Sequence, residues 1–305
     1  MSAMRRSDFK KLLQEGLNTV FGNEYKRHPE VFRSVFDVAN SRKAAEEDVI
    51  VSGFGAAPVK EEGQGVAFDE AHEGWAARYV HQTVALAFGI TEEAIEDNLY
   101  GDLGAKYSKA LARSMQHTKE IKGASILNNG FSAAHSGGDG KPLFATDHPL
   151  MGGGTLSNCF ATPADLSETS LEQAVIEIGD WTDERGIPVN AAPVKLVIRH
   201  NNQFNAQRIL KSQQRSGTAE NDLNAIKAMG MLQGDPVTWR YLTDPDSWFL
   251  ITDVQDGLKH MVRKTVTKKV EGDFDTGNMR YRARERYSFG WTDWRGAFGS
   301  IGAAA

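Results

Sequence analysis

Three residues that could perform acid–base chemistry lie close together in the stretch DGKPLFATDHPLMGGGTLSN, residues 139–158. Lys141, Asp147 and His148 are residue types that transfer protons or orient a nucleophile. Asp147 and His148 are adjacent, however, so their side chains diverge, and Pro149 favours extended backbone at His148. We therefore interpret the stretch as a strap that joins a long helix to the body, with polar residues that satisfy backbone groups.

Other chemical signals are weaker still. The glycines at 152–154 lack the Lys-Ser/Thr of a P-loop and the GxGxxG spacing, so a bend is expected there. His200 follows a candidate strand, but no nucleophile motif accompanies it. Cys159 is the only cysteine and is expected to be a small buried hydrophobe. We expect no enzyme, cofactor or metal site. A cytoplasmic α+β hydrolase using His148 or His200 is the alternative from a different class.

The overall composition is that of an ordinary folded protein. The chain has 305 residues, 40% of them apolar, which is enough to bury a sizeable core. Its 35 basic and 40 acidic residues give a net charge of −5, too mild for wholesale nucleic-acid binding. The basic N-terminus has no apolar run behind it, and no stretch reaches the ~20 apolar residues of a membrane span. We expect a soluble protein made inside a cell.

A basic segment near the C-terminus is the strongest charge feature. Residues 259–286 hold nine basic and four acidic residues. In the strand pattern that ends the chain, four arginines fall on one face: Arg280, Arg282, Arg284 and Arg286. We expect these arginines to pair with carboxylates of a neighbouring strand, helix or subunit. A nucleic-acid-binding module, in which the strand contacts phosphates, is a further alternative.

Two N-terminal segments carry surface that they cannot bury alone. Residues 4–40 read as helical arm segments with a short apolar stripe. Residues 49–90 read as a long hairpin or extended loop, with a polar turn at 60–65. An isolated two-stranded hairpin is marginal in water, so this one needs support from another surface.

A long helix follows the hairpin. Thr91 can cap its start, and apolar residues then recur at four-residue steps until about Asn128. Acidic residues come early and basic residues late, as the helix dipole favours. The helix would be over ~50 Å long. Further helices are predicted at 165–183 and 202–211, a possible one within 218–230, and strands at 194–200, 238–242, 248–252 and 259–270.

The order of these elements, rather than any single motif, resembles the major capsid proteins of tailed bacteriophages. It is most similar to the major head subunit family of Mu-like phages. The residues that carry the resemblance are GKPLFATDHPLMGGGTLSN (140–158), similar to that family's LF-x-x-x-HP…GG…N loop, and RYRARERYSFGWTDWRGAF (280–298).

The resemblance implies an α+β tailed-phage major capsid fold and a division of the chain. Residues 1–50 would be the N-terminal arm, 51–90 the E-loop, 91–159 and 255–305 the peripheral domain with its spine helix at about 91–129, and 160–254 the axial domain. Because the chain begins at Met1 with only a short arm, we expect scaffolding by a separate protein. Some relatives cross-link an E-loop lysine to an asparagine, and Lys60 is the only candidate donor in the predicted loop.

The resemblance also implies a function. The protein would assemble as pentamers and hexamers into an icosahedral shell around packaged double-stranded DNA, in a virion built in the bacterial host cytoplasm. Its partners would be copies of itself, a scaffolding protein, a portal protein and a decoration protein, with no membrane. The residues expected to contact other subunits are Lys60, Glu61, Glu62, Arg78, Arg280, Arg282, Arg284 and Arg286. An encapsulin-like compartment is the alternative within the same fold.

Overall fold

The computed structural model describes residues 6–91, 93, 100–214, 223–232, 234–272 and 278–303, except for the side chains of 6–14 and 100–102. The helices are α1 (Arg6–Arg27), α2 (Tyr100–Asn128), α3 (Glu168–Gly179), α4 (Gln203–Lys211) and α5 (Ala225–Ala228). The strands are β1 (Asp37–Asn40), β2 (Ala45–Val51), β3 (Glu73–Val80), β4 (Gln82–Ile90), β5 (His148–Pro149), β6 (Thr155–Leu156), β7 (Pro193–Ile198), β8 (Val237–Thr238), β9 (Trp248–Thr252), β10 (Leu258–Gly272), β11 (Met279–Trp291) and β12 (Ala297–Ser300).

The first sheet has the strand order β1-β10-β11-β4. Strands β10, β11 and β4 are antiparallel, and β1 runs parallel to β10. One face of the sheet packs against α1 and α2 through Phe21, Met115 and Tyr281. The alternation predicted for the last strand is confirmed, because Met279, Tyr281, Ala283 and Tyr287 are buried while Arg280 and Arg282 are exposed. Strand β4 lies at one edge of this sheet.

Helix α2 confirms the predicted long helix from Tyr100 onward. Its 29 residues span about 43 Å. Thr91 is not helical, and most of the predicted first two turns lie outside the described residues. The predicted stripe is right at Leu111 and Met115, whereas Tyr107 and Ile121 are exposed. Each step of four residues turns about 40° beyond a full helical turn, so residues at strict four-residue spacing do not all stay on the buried face of the helix.

The second sheet has the order β12-β9-β7-β8 and is covered on both faces. Helices α3, α4 and α5 pack on one face, and the C-terminal end of α2 packs on the other. The predicted strands at 194–200 and 248–252 are confirmed as β7 and β9. The predicted strand at 238–242 is wrong. Only Val237–Thr238 pairs with β7, because Trp239 then turns inward and donates its Nε1–H to Glu120 of α2 at 2.6 Å.

His260 of β10 is a buried histidine without a polar partner. Its ring stacks on Phe289 at 4.3 Å between centroids and meets Phe32 edge-on at 4.8 Å. Neither ring nitrogen has a hydrogen-bond partner in the described part of the chain. Burial, reinforced by Lys119, lowers the pKa of His260 from 6.5 to about 3. The ring is therefore neutral in the folded subunit at any moderately acidic pH.

His260→Phe is expected to remove part of the protein's sensitivity to acid. Because the folded pKa is depressed, the unfolded chain binds the proton first, and stability falls as the pH drops from 6.5 towards 3. At pH 5 this single group costs about 2 kcal/mol of unfolding free energy. Urea unfolding of the unassembled subunit at pH 7 and pH 5 measures the difference. Exposed His117, changed to Gln, is the control, and an equal loss of stability in wild type and His260→Phe would contradict the assignment.

Candidate intersubunit surfaces

Strands β2 and β3 form a long hairpin, residues 45–80, whose strands pack on the first sheet through Asp48, Ala77 and Tyr79. The two strands pair antiparallel from Ala45–Val80 to Val51–Glu73. The hairpin therefore begins earlier than the predicted residue 49. The second half of the segment predicted as a hairpin or extended loop, 49–90, is two strands, β3 and β4. The second of these strands, β4, leaves the hairpin after His81 and joins the first sheet.

The tip of the long hairpin, residues 52–72, exposes apolar side chains that nothing in the described chain covers. Phe54 is 62% exposed, Val59 95%, Val66 69% and Phe68 98%. Burying side chains of this size is worth about 1.5–3 kcal/mol each. An exposed set of this kind marks an interaction surface, so the tip is built to be covered by another surface.

Contacts hold the base of the tip to the body but leave its end free. Asp69 accepts the backbone N–H of Gly55 at 2.7 Å and pairs with Arg185 at 2.9 Å. These bonds, with the Gly55 amide first among the causes, lower the pKa of Asp69. Within the described chain, no ion pair involves the predicted contact residues Lys60, Glu61 or Glu62, and all three are exposed. Their charges are available to a partner.

Arg78, another predicted contact residue, pairs within the hairpin. Its Nε lies 3.6 Å from Oε1 of Glu47 on β2, and both side chains are exposed. The structure thus gives Arg78 a cross-strand partner in its own subunit. A surface pair of this kind contributes little stability and can be rearranged at modest cost.

The four arginines of β11 lie together on the face of the first sheet opposite α1 and α2. The expected pairing with carboxylates is not found for Arg282, Arg284 or Arg286, none of which has a carboxylate oxygen within 4.0 Å in the described chain. Arg282 does help Lys269, the larger cause, to lower the pKa of Glu271. The neighbouring positions of β4 carry small residues: Thr83, Ala85, Ala87 and Gly89. Arg282, Arg284 and Arg286 therefore have no carboxylate partner among the described residues, and pairing with another subunit stays a prediction.

The strap at 139–158 is structural, as the sequence predicted. His148 is fully buried, with its Nδ1 2.6 Å from Asp139 and its ring stacked on Trp294 at 4.5 Å. Leu143 and Phe144 anchor the strap in the core. Lys141 pairs with Asp147 at the surface. Because the imidazole has no access to solvent, the arrangement cannot act on a substrate.

Asn158 is the residue of the strap that sequence reasoning missed. Its Nδ2 donates to the carbonyls of Leu143, Trp294 and Ala297 at 2.7, 3.1 and 3.0 Å. Its Oδ1 accepts the amide of Ala145 at 3.0 Å and contacts His148 Nε2 at 3.2 Å. One amide thus joins the strap to the C-terminal segment. Only the contrast between a small polar residue and its apolar surroundings could have signalled this role.

The glycine run and the cysteine also have structural roles. Gly153 and Gly154 have φ angles of 93° and 89°, which suit glycine in the tight turn between β5 and β6. A side chain at Gly152 would meet the carbonyl oxygen of Glu184 at 2.8 Å. Cys159 is buried, and burial raises the pKa of its thiol to about 11, so it is unreactive.

The described residues give no support to a hydrolase that uses His148 or His200. They hold no group of three or more His, Cys, Asp or Glu side chains placed to bind a metal. The larger of two described cavities, about 780 Å³, lies between α2 and the turn at 238–241, and neither His148 nor His200 lines it. None of the described helices is both long enough and apolar enough to cross a membrane. Open charged faces and an uncovered hairpin define a structural, self-associating subunit.

Comparison with known proteins gives the family. The sequence model of the phage capsid protein family matches residues 76–299, and this chain belongs to that family. Proteins of this class are shell subunits and not enzymes, in agreement with the sequence analysis. No curated protein matches the sequence.

Solved structures agree on the fold. The procapsid subunit of bacteriophage JBD30 superposes with a TM-score of 0.56 and 16% identity, over 99% of this chain and 77% of that one. The capsid subunit of an empty GTA particle gives 0.54 and 11%, over 91% of each chain. The holo-SrpI encapsulin of Synechococcus elongatus PCC 7942 gives 0.54 and 8%, over 90% and 88%. The α+β capsid fold is confirmed, and the protein is a capsid subunit that forms a shell.

Proposed function

We propose that the protein is the major head subunit of a Mu-like tailed phage and encloses packaged double-stranded DNA. Pentamers and hexamers of this chain would form the icosahedral shell in the cytoplasm of the bacterial host. The observation that carries the proposal is the long hairpin, whose apolar tip is exposed in the single subunit. A chain of this kind completes its core against its neighbours.

We also propose a division of labour among the segments of the chain. Residues 1–50 serve as the N-terminal arm, residues 51–90 as the E-loop, and residues 160–254 as the axial domain. The peripheral domain is 91–159 with 255–305, and it contains α2 and the two central strands of the first sheet, β10 and β11. A separate scaffolding protein, a portal and a decoration protein complete the head.

Removing the apolar tip is expected to abolish shells without harming the subunit. Phe54→Ser with Phe68→Ser deletes two exposed rings, so the subunit's unfolding free energy should stay within about 0.5 kcal/mol of wild type. Electron microscopy of the purified protein should show closed particles for wild type and none for the variant. Reversing the charges of Lys60, Glu61 and Glu62 together is expected to impair assembly in the same way. Normal shells from either variant would contradict the role of the tip.

Two alternative functions, an encapsulin-like compartment and a nucleic-acid-binding module, are each supported by one observation. The similarity to the holo-SrpI encapsulin fits a compartment with a protein cargo. Nuclease-resistant double-stranded DNA inside particles from the native host distinguishes a phage head from a compartment, which would contain a cargo enzyme instead. Arg282, Arg284 and Arg286 of β11, which have no carboxylate partner among the described residues, fit a nucleic-acid-binding module. Steeply salt-dependent DNA binding by the unassembled subunit would favour that reading.

A further inference from the structure

Two exposed faces of opposite charge lie on different helices that cover the second sheet. The segment that leads into α3 lies beside edge strand β12, where Ser300 Oγ bonds both backbone groups of Ala164. The segment after α5 leads into β8, which is the other edge strand. Helix α3 and the pair α4–α5 pack side by side on the same face of this sheet, and Asn205 of α4 donates to the carbonyl of Leu166, just before α3, at 2.8 Å.

The face presented by α3 is acidic with an apolar centre. We call Glu172, Ile176, Glu177 and Asp180 the acidic face. Residues three and four apart on a helix are neighbours, so Ile176 has a carboxylate on either side. Ile176 is 58% exposed, although the opposite side of the helix is fully buried. Among the described residues, no ion pair occupies the three carboxylates.

The face presented by α4 and α5 is its complement. We call Phe204, Arg208, Lys227 and Met229 the basic face. Phe204 and Met229 are each 68% exposed. Arg208 has no carboxylate partner in the described chain. The ammonium group of Lys227 donates to the carbonyl of Lys211 at 2.6 Å, and it forms no ion pair with the residues that the structure describes.

We propose that the acidic face of one subunit binds the basic face of the next copy around a ring. This inference rests on the proposed function and names the contact that closes its pentamers and hexamers. Both faces combine exposed apolar side chains with opposite charges, as complementary surfaces do. Two different patches that meet head to tail make a heterologous interface, and such an interface generates rings when its rotation closes.

The distribution of charge favours a second copy of this chain over another partner. A polyanion would be repelled by the acidic face, and an unrelated cationic protein would leave the basic face open. A head-to-tail copy satisfies both faces at once, with an exposed isoleucine opposite an exposed phenylalanine or methionine. Every subunit in a ring then uses each face once.

Charge reversal and rescue test the contact. One variant carries Glu172→Lys and Glu177→Lys, and a second carries Arg208→Glu and Lys227→Glu. Each should lower the yield of closed particles by about tenfold or more, because like charges meet across every contact. The quadruple variant, in which both faces are exchanged, should recover most of the wild-type yield. Thermal unfolding of the unassembled variants checks that each is folded.

Mixing the two double variants gives a sharper readout. Each contact between unlike variants joins faces of opposite charge, so alternating rings are stable. Alternation closes in a ring of six subunits and fails in a ring of five. The mixture should therefore give hexagonal sheets or tubes without closed shells, as seen by electron microscopy.

The outcomes separate this contact from the function on which it rests. Wild-type yields of shells from either double variant would overturn the proposed contact, as would a folded quadruple variant that stays unassembled. If wild-type protein itself forms no closed particles under any assembly condition, the proposed shell function fails and the contact falls with it.

Discussion

Lys119→Met is expected to lower the unfolding free energy of the unassembled subunit by about 3–5 kcal/mol. Lys119 Nζ lies 2.7 Å from Glu285 Oε2, and the side chains are only 9% and 2% exposed. Burial raises the pKa of Glu285, and Lys119 opposes that rise. Without the ammonium group, the carboxylate is left charged in the core or must take up a proton.

The pH dependence identifies the cause of this loss. In Lys119→Met the pKa of Glu285 should rise further, because its main opposing charge is gone. A carboxyl whose folded pKa is raised loses stability as the pH increases above its ordinary value, so the deficit should be larger at pH 8 than at pH 5. Urea unfolding at the two pH values measures this difference, and a deficit independent of pH would contradict the explanation.

A matched double variant separates the buried charge from the packing. Lys119→Met with Glu285→Leu removes both charges and fills similar volume, so it should recover most of the loss, apart from about 1–3 kcal/mol for the Tyr25 hydroxyl left without a partner. The pair also positions α1, since the hydroxyl of Tyr25 donates to Glu285 Oε2 at 3.0 Å. Limited proteolysis of α1 should therefore accelerate in Lys119→Met.

Asn158→Leu is expected to cost at least about 3 kcal/mol, because several buried backbone groups lose their partners together. The leucine keeps the volume but cannot bond the carbonyls of Leu143, Trp294 and Ala297 or the amide of Ala145. The loss should appear in urea unfolding of the unassembled subunit. Asn158→Asp should do no better, because its carboxylate would face three carbonyl oxygens.

The control for this substitution lies in the same strap. Lys141→Met removes an ion pair whose side chains are partly exposed, so its cost should be below about 1 kcal/mol. Comparable losses for Lys141→Met and Asn158→Leu would mean that the strap responds to any change, and the specific role of the amide would be rejected.

The patterns of apolar and polar residues correctly predicted the strands whose burial is set by their own sequence. The alternation in β11 survives because one face of its sheet is covered by α1 and α2 and the other is open. The apolar run in β9 is buried at every position, as its composition required. The need of the hairpin for outside support followed from its shortage of core residues, and its exposed tip agrees.

Long-range contacts account for what the sequence pattern could not predict. Trp239 ends its strand because it reaches Glu120, a residue 119 positions away along the chain. Asn158 bonds carbonyls 136 and 139 positions away. The arginine stripe was placed on the correct face, but its partners could not be deduced from one chain. The type of a side chain does not indicate which residues distant along the chain will contact it in the fold.

Strand β4 has a consequence for the free subunit. Its nine residues, Gln82–Ile90, carry no charged side chain and lie at the border of a sheet. Strands at the edge of a sheet readily pair with a strand of another chain, and charged residues or proline normally prevent this pairing. The free subunit should therefore self-associate through this strand as its concentration rises, and dilution should keep it monomeric.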